Sequence, residues 1–377
     1  MFLEILVTIA LGIFSGIITG LIPGVHVNLI ASLSFSPIFL IAMAITHTFL
    51  DAIPAIFLGA PSSDNALMAL PGHQMLLEGR GVEAVFLTVM GGIGAMLVCL
   101  ILSPIIIIGI KYLYPIISDY LGVILICFSL FFVFRSKKKV SALLVFLLSG
   151  CLGLIALSSI HEPMFPMLTG LFGISILIRS SKANIPPQKT KFSTKIPFSA
   201  ILAASFGGLL TGVFPGIGAS QAAIIGSTML KDNAKHKFLV MVGGANTVNF
   251  FVSLLTLYAI NKARNGAVVA VQNSLGQITL KHLILFIAVS CFAAGIAAIL
   301  AIVIAKHFAR VIHKINYRYI ASLVILFLVI ITPFISGFPG LILLGTATTI
   351  GLLPGSLKVP KSLCMGCILL PVIFYVL

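Results

Sequence analysis

Twice in this chain an apolar run breaks on the same residues: Gly16-Ile-Ile-Thr19-Gly20-Leu-Ile-Pro23-Gly24, and in the second half Gly208-Leu-Leu-Thr211-Gly212-Val-Phe-Pro215-Gly216. Proline lacks an N–H and glycine accepts backbone angles that other residues resist, so each Pro-Gly pair ends a helix. The residues that follow are polar, Val25-His26-Val27-Asn28 in one copy and Ile217-Gly218-Ala219-Ser220-Gln221 in the other. A helix restarting there offers free backbone N–H groups and the positive end of its dipole. Two such ends facing each other suit an anion. The expected substrate-binding set is Thr19, Pro23, Gly24, His26, Asn28, Thr211, Pro215, Gly216, Gly218, Ser220 and Gln221. The plainer reading makes Asn28 and Ser220 helix caps and the glycines packing devices; the pairing of the breaks favours the binding site. His26 stands opposite the uncharged Gly218, and two roles remain open for it: accepting a proton or a substrate carboxylate bond, or sitting neutral against a carbonyl.

A second constellation runs from Asp51 to His73 and holds two acids, five prolines and glycines and two serines inside an apolar region. Intramembrane acids are costly and usually functional. Ser62, Ser63, Asp64 and Asn65 are therefore expected to hold a coupling cation, sodium or a proton. The second-half stretch with Asn246, Thr247 and Asn249 mixes glycine and amide in the same way and is expected to contribute carbonyl and amide ligands. Asp51 is read as marking a loop at the membrane surface. Glu78, Arg80 and Glu83, like Lys262 and Arg264, are read as charges that anchor helix ends, with a gate as the alternative. Cys364 and Cys367 form a CxxC, but no second cysteine or histidine pair accompanies it, so it reads as two small residues on the last helix.

The elements that position these residues are membrane helices. Hydrophobic residues make up 60% of the 377 and charged residues only 8%, and one apolar run of roughly 20 residues follows another, each enough to cross the hydrocarbon core. This predicts an all-α polytopic membrane protein with about 10–14 membrane elements. The expected elements are 3–22, 28–46, 53–70, 84–110, 112–134, 140–159 and 163–178 in the first half. In the second they are 196–214, 217–230, 238–260, 283–305, 319–335, 337–353 and 362–377. The net charge of +15 is not a nucleic-acid signature, because the basic residues cluster in Arg135–Lys139, Arg179–Lys195, Lys231–Lys237 and Lys306–Arg318, as cytoplasmic loops do.

Residues 1–179 and 196–377 are expected to form two transmembrane repeats joined by a cytoplasmic linker, 180–195, in which Ile185-Pro186-Pro187 is non-helical. An odd number of crossings per half would invert the second repeat relative to the first, with discontinuous helices or re-entrant hairpins at the Pro-Gly breaks and both termini outside. Three anchors beyond the Pro-Gly motif support the duplication: His47-Thr-Phe-Leu with His236-Lys-Phe-Leu, Arg80 with Arg264, and Ser149-Gly150-Cys-Leu-Gly153 with Ser336-Gly337-Phe-Pro-Gly340. On this alignment the His47–Asp51 region is an outer loop.

The combination resembles the large membrane subunit of the tripartite tricarboxylate transporters, the TctA-like permeases, in a shorter archaeal-type form. The resemblance rests on Gly20-Leu-Ile-Pro23-Gly24-Val-His26-Val-Asn28, Ala52-Ile-Pro54-Ala-Ile-Phe-Leu-Gly59-Ala-Pro61, Leu70-Pro71-Gly72-His73 with Glu78-Gly79-Arg80-Gly81, Phe214-Pro215-Gly216-Ile-Gly218-Ala-Ser220-Gln221, and Met365-Gly366-Cys367-Ile-Leu-Leu-Pro371-Val372. It covers nearly the whole chain. It implies secondary uptake of a di- or tricarboxylate at the plasma membrane by symport with an ion, without cofactor, alongside a small membrane subunit and an extracytoplasmic solute-binding protein. The alternatives from other classes are an intramembrane enzyme acting on a lipid-linked substrate, for which no H-E-x-x-H or G-x-S-x-G is present, and an anion channel.

Overall fold

Inside lipid every backbone polar group needs an internal partner, which leaves helices as the solution for a chain of apolar runs. The computed structural model describes residues 2–23, 27, 31, 35–60, 67–180, 185–213, 222, 235–314 and 317–377, and among them there is no strand. The first half contains α1 (Phe2–Leu21), α2 (Pro37–Leu50, continued by a π turn over Pro54–Leu58), α3 (Ala69–Leu77), α4 (Gly81–Ile101), α5 (Ser103–Ser118), α6 (Leu121–Arg135) and α7 (Lys139–Ser159). It closes with α8, which runs as Met164–Leu168, a π turn Thr169–Ile174, and Ser175–Ser180. The second half contains α9 (Phe198–Val213), α10 (Lys235–Ile260), α11 (Gly266–Leu275), α12 (Leu280–Ile312), α13 (Tyr317–Leu357) and, after a 3-10 turn at Lys361–Met365, α14 (Gly366–Val376). Among the described residues seven helices are long and apolar enough to cross a membrane, or eight if the bent pair α5–α6 is one span, and three shorter apolar helices accompany them.

Two expected boundaries move. The break expected near residue 110 falls earlier, where α4 ends at Ile101 and Pro104 starts α5, because proline's missing donor costs nothing in a first helical turn. The break expected at residues 47–52 is absent: one apolar span runs from Pro37 to Leu58. Pro54 cannot donate to the preceding turn, and the helix absorbs the loss by widening over Pro54–Leu58 and closing with the Ala60 N–H on the Pro54 carbonyl at 3.1 Å. His47 and Asp51 are therefore not in an outer loop. They are 4% and 3% exposed, inside the helical core.

The most enclosed spans are α2 and α10, each with 89% of its apolar window buried, against 28% for α13. This division explains where polar side chains go. Helices that face lipid show it Phe334, Phe338, Ile299 and Ile105, whereas α2 and α10, which never meet it, carry Thr46, His47, Asp51, Asn246, Thr247, Ser253 and Thr256 as buried residues.

Glycine contacts recur in pairs between the halves. A Cβ at Gly16 would press on the Met43 carbonyl of α2 at 2.6 Å, and one at Gly20 on Leu50 at 2.7 Å. In the second half a Cβ at Gly208 would meet Val248 and the Ala245 carbonyl of α10, and one at Gly212 would meet Val252 at 2.7 Å. Elsewhere Gly153 of α7 lies on the Cys367 carbonyl of α14 while Gly351 of α13 lies on the Leu171 carbonyl of α8; Gly366 faces the Phe146 carbonyl, and Gly170 the Leu344 carbonyl. Thus α7 packs on α14 as α13 packs on α8. These contacts correct two of the sequence anchors. His47 touches α1 near the end of α2, while His236 lies in the first turn of α10 beside Glu83, so the two are not counterparts. Gly153 matches Gly351 by contact, not Gly340, whose Cβ would meet only its own helix at Ser336 and Thr332.

The linker residues 185–197 are extended and docked. Gln188 accepts from the Gly81 N–H at 2.8 Å and donates to the Leu76 carbonyl at 2.9 Å; the Lys189 N–H donates to Gly79 at 2.8 Å. Gly79 has φ +77° with the Pro187 carbonyl 3.0 Å from where a Cβ would be, so Gly79→Ala should cost about 1–2 kcal/mol of backbone strain, read as a lower unfolding midpoint in detergent. Arg80 donates from Nε and Nη2 to the Glu83 carboxylate, both at 2.8 Å, and Nη2 also donates to His236 Nε2. Thr194 of the linker donates to the same carboxylate, and Lys235 pairs with Glu78. The Glu83 carboxylate holds the Arg80 guanidinium above its ordinary range. These charges tie the first half, the linker and α10 together.

Candidate functional site: a buried polar cluster between the halves

The cluster is built from three helices. α1 presents Thr19 in its last turn; α2 presents His47, Thr48 and Asp51; α10 presents Asn246 and Thr247. Thr19 Oγ1 lies 3.2 Å from the Gly16 carbonyl and donates to it, a local bond that bends helix ends. His47 Nδ1 is 3.1 Å from that same Oγ1. Nε2 of the same ring faces Asp51 Oδ2 across 4.0 Å, so the ring bridges the Thr19 hydroxyl and the Asp51 carboxylate. Asp51 Oδ2 accepts from Asn246 Nδ2 at 3.0 Å, and the same amide reaches the Thr48 carbonyl at 3.5 Å. Thr48 and Thr247 hydroxyls meet at 3.3 Å.

The local sequence explains why these side chains converge. His47 and Asp51 are four residues apart, hence one above the other on a helix face. Glycines then draw the helices in. Gly16 and Gly20 seat α1 on α2, while Gly243 and Gly244 bring α10 against the Thr88 and Gly91 backbone of α4. Gly92 leaves room for Phe49 and for Thr247 Oγ1, which would stand 2.9 Å from a Cβ there.

Of the residues expected from sequence, the structure brings Thr19, Asn246 and Thr247 together. Asn249 lies one turn on, its carbonyl 3.1 Å from where a Gly212 Cβ would be and accepting from Ser253 at 2.7 Å. Thr211 makes the bond of Thr19 over again, donating to Gly208 at 2.9 Å, and stands apart from the cluster in α9. Pro23 forms the turn just beyond α1. Gly24, His26, Asn28, Ser62, Ser63, Asp64, Asn65, Pro215, Gly216, Gly218, Ser220 and Gln221 lie outside the described residues. His47, Thr48 and Asp51 were missed; the signal for them was the i, i+4 spacing of a histidine and an acid within an uninterrupted apolar run. Among the described residues no three His, Cys, Asp or Glu converge on a metal site.

A family model described as "Tripartite tricarboxylate transporter TctA family" matches residues 6–366. The chain belongs to the TctA family. An uncharacterized protein of Methanocaldococcus jannaschii is 32% identical over 399 residues, covering 99% of this chain and 99% of that one. No solved structure matches significantly. As a TctA-family member this is a multi-pass membrane protein of a transporter family, and the cluster joining α1, α2 and α10 is the part of that fold where ionisable and amide groups meet away from lipid.

Proposed function

We propose that this TctA-family protein is a secondary active transporter that takes up an organic anion, of the di- or tricarboxylate class, in symport with an ion across the plasma membrane. The observation that carries the reading is the enclosure of Asp51, His47 and Asn246 between the halves of a transporter-family chain, since ionisable groups at that depth mark ion or substrate pathways. Substrate is held between the Pro-Gly breaks by Thr19, Asn28, Thr211, Ser220 and Gln221, with helix N-termini directed at its carboxylates. The coupling ion is bound by Ser62, Ser63, Asp64 and Asn65 together with Asn246, Thr247 and Asn249. The halves, 1–179 and 196–377, act as inverted repeats; the reciprocal glycine contacts support duplication, and alternating access moves one against the other. A small membrane subunit and an extracytoplasmic solute-binding protein deliver substrate, as the family description implies.

Uptake of labelled mono-, di- and tricarboxylates into proteoliposomes under imposed sodium or proton gradients tests this. Gradient-driven accumulation is expected, and Asn28→Ala or Asp64→Asn should reduce it by about tenfold or more, the loss of one substantial hydrogen bond or charge. Folded protein that accumulates no carboxylate, alone or with its partner subunits, would sink the proposal.

A further inference from the structure

Burying an imidazole and a carboxylate in the middle of a span costs several kcal/mol unless each is engaged. Asp51 is held by the Asn246 amide and His47 by the Thr19 hydroxyl. His47 Nε2 stands 4.0 Å from Asp51 Oδ2. A proton taken up by the ring is stabilised by the carboxylate beside it, and one taken up by the carboxylate removes a costly buried charge.

We infer that the coupling ion is the proton and that the His47–Asp51 pair, bonded to Asn246 of the proposed coupling-ion set, belongs to that set and binds it. This rests on the transport reading and deepens it. Sodium prefers an all-oxygen shell, as hard cations do, and an imidazole nitrogen turned to a carboxylate is instead a proton acceptor pair. The step balances simply. A proton from one aqueous face adds to the His47 ring or the Asp51 carboxylate, the pair passes from one negative charge to neutral, and the proton leaves to the other face.

Protonation acts on three elements at once. With the proton gone, the ionised Asp51 makes a charge-assisted bond to Asn246 and clamps α2 to α10; with the proton bound, that bond weakens. Thr19 carries the His47 contact into the end of α1, four residues before Pro23. Among the described residues, the helices packed around α2 bring further ionisable groups, several with partners elsewhere. Glu83 of α4 is paired with Arg80, His73 of α3 bonds the Ile56 carbonyl at 3.0 Å, and Cys99 of α4 faces the Ser205 carbonyl. Cys291 of α12 is half-buried, α11 has no ionisable group, Glu4 opens α1, and the basic residues of α10 and α12 stand in their end turns.

The test compares wild type, Asp51→Asn, His47→Gln and the exposed-turn control Asp119→Asn in two readouts. In proteoliposomes, pH-gradient-driven carboxylate accumulation is measured relative to carboxylate counterflow, which needs no net proton movement. One proton per substrate gives about tenfold accumulation per pH unit, and this ratio should collapse toward one in Asp51→Asn and His47→Gln and persist in Asp119→Asn. In purified protein, infrared difference spectra on a pH change should contain a buried carboxylic-acid or imidazolium signal that Asp51→Asn removes. A wild-type ratio in both pair variants overturns the inference while leaving transport standing. If wild type shows neither accumulation nor counterflow, the transport reading fails instead, and an infrared signal undiminished in Asp51→Asn overturns the proton site by itself. Should Asp51→Asn not fold, His47→Gln carries both measurements.

Discussion

Valine at Gly153 or at Gly351 is expected to destabilise the protein severely, and by similar amounts. At each position a Cβ would lie on a backbone carbonyl of the facing helix, Cys367 for the first and Leu171 for the second. Neither carbonyl can swing aside as a flexible side chain would. Overpacking costs typically about 1–3 kcal/mol, and a collision with backbone belongs at or above the top of that range. Gly345 of α13 has open space around its Cβ position, so Gly345→Ala should be close to neutral, about 0.5 kcal/mol either way. The chain has no tryptophan, but Cys99, Cys364 and Cys367 are buried free thiols. Heating in detergent with a thiol-reactive dye therefore reports unfolding. Equal, large drops in midpoint for the two glycines would establish their equivalence; a drop at only one would refute it.

Replacing Arg80 by leucine should release the linker. The Glu83 side chain is 7% exposed and Arg80 31%, so the variant leaves a largely buried carboxylate with the Thr194 hydroxyl and His236 as its remaining neighbours. Breaking a fully buried pair costs about 3–5 kcal/mol, and the partial exposure of Arg80 brings the expectation to about 2–3 kcal/mol. Lys189, Lys191 and Lys195 are exposed on the docked strand. Trypsin should cut there several-fold faster in Arg80→Leu, because cleavage follows the population of the undocked strand. Arg80→Leu together with Glu83→Gln should recover much of the loss, since no buried charge is then stranded. Unchanged cleavage in the single variant would mean the backbone bonds of Gln188 and Lys189 hold the linker alone.

Composition and hydropathy made the all-α membrane class legible, and the end of α1 at the first Pro-Gly motif, the extended linker and the break at Gly337 fall where proline and glycine chemistry put them. Thr19, Asn246 and Thr247 could be read as polar residues in apolar runs. His47 and Asp51 fall between the expected elements 28–46 and 53–70 and so read as a loop, yet Pro54, within the second of these, does not end the helix. Whether proline breaks a helix or is absorbed by a π turn depends on what packs around it, and α2 is enclosed on nearly every side. The pairing of Gly153 with Gly351 was hidden for a related reason. The letters around Gly153 resemble those around Gly340, but equivalence lies in which partner carbonyl each glycine meets, a property of two helices at once.

The helix Tyr317–Leu357 has 41 residues, about 60 Å at 1.5 Å per residue, twice the roughly 30 Å hydrocarbon core. Its break is Gly337, at φ 65° and ψ −177°, and on either side stand Phe334 and Phe338, 84% and 79% exposed. The Ser336 hydroxyl reaches across to the Glu162 carbonyl at 2.9 Å. No hydrophilic segment separates the two arms. During synthesis the insertion machinery meets no hydrophilic stop between them, so both arms are expected to enter the bilayer as one unit. The orientation of the chain after Tyr317 is then expected to be set before the break emerges, by the basic residues from Lys306 to Arg318.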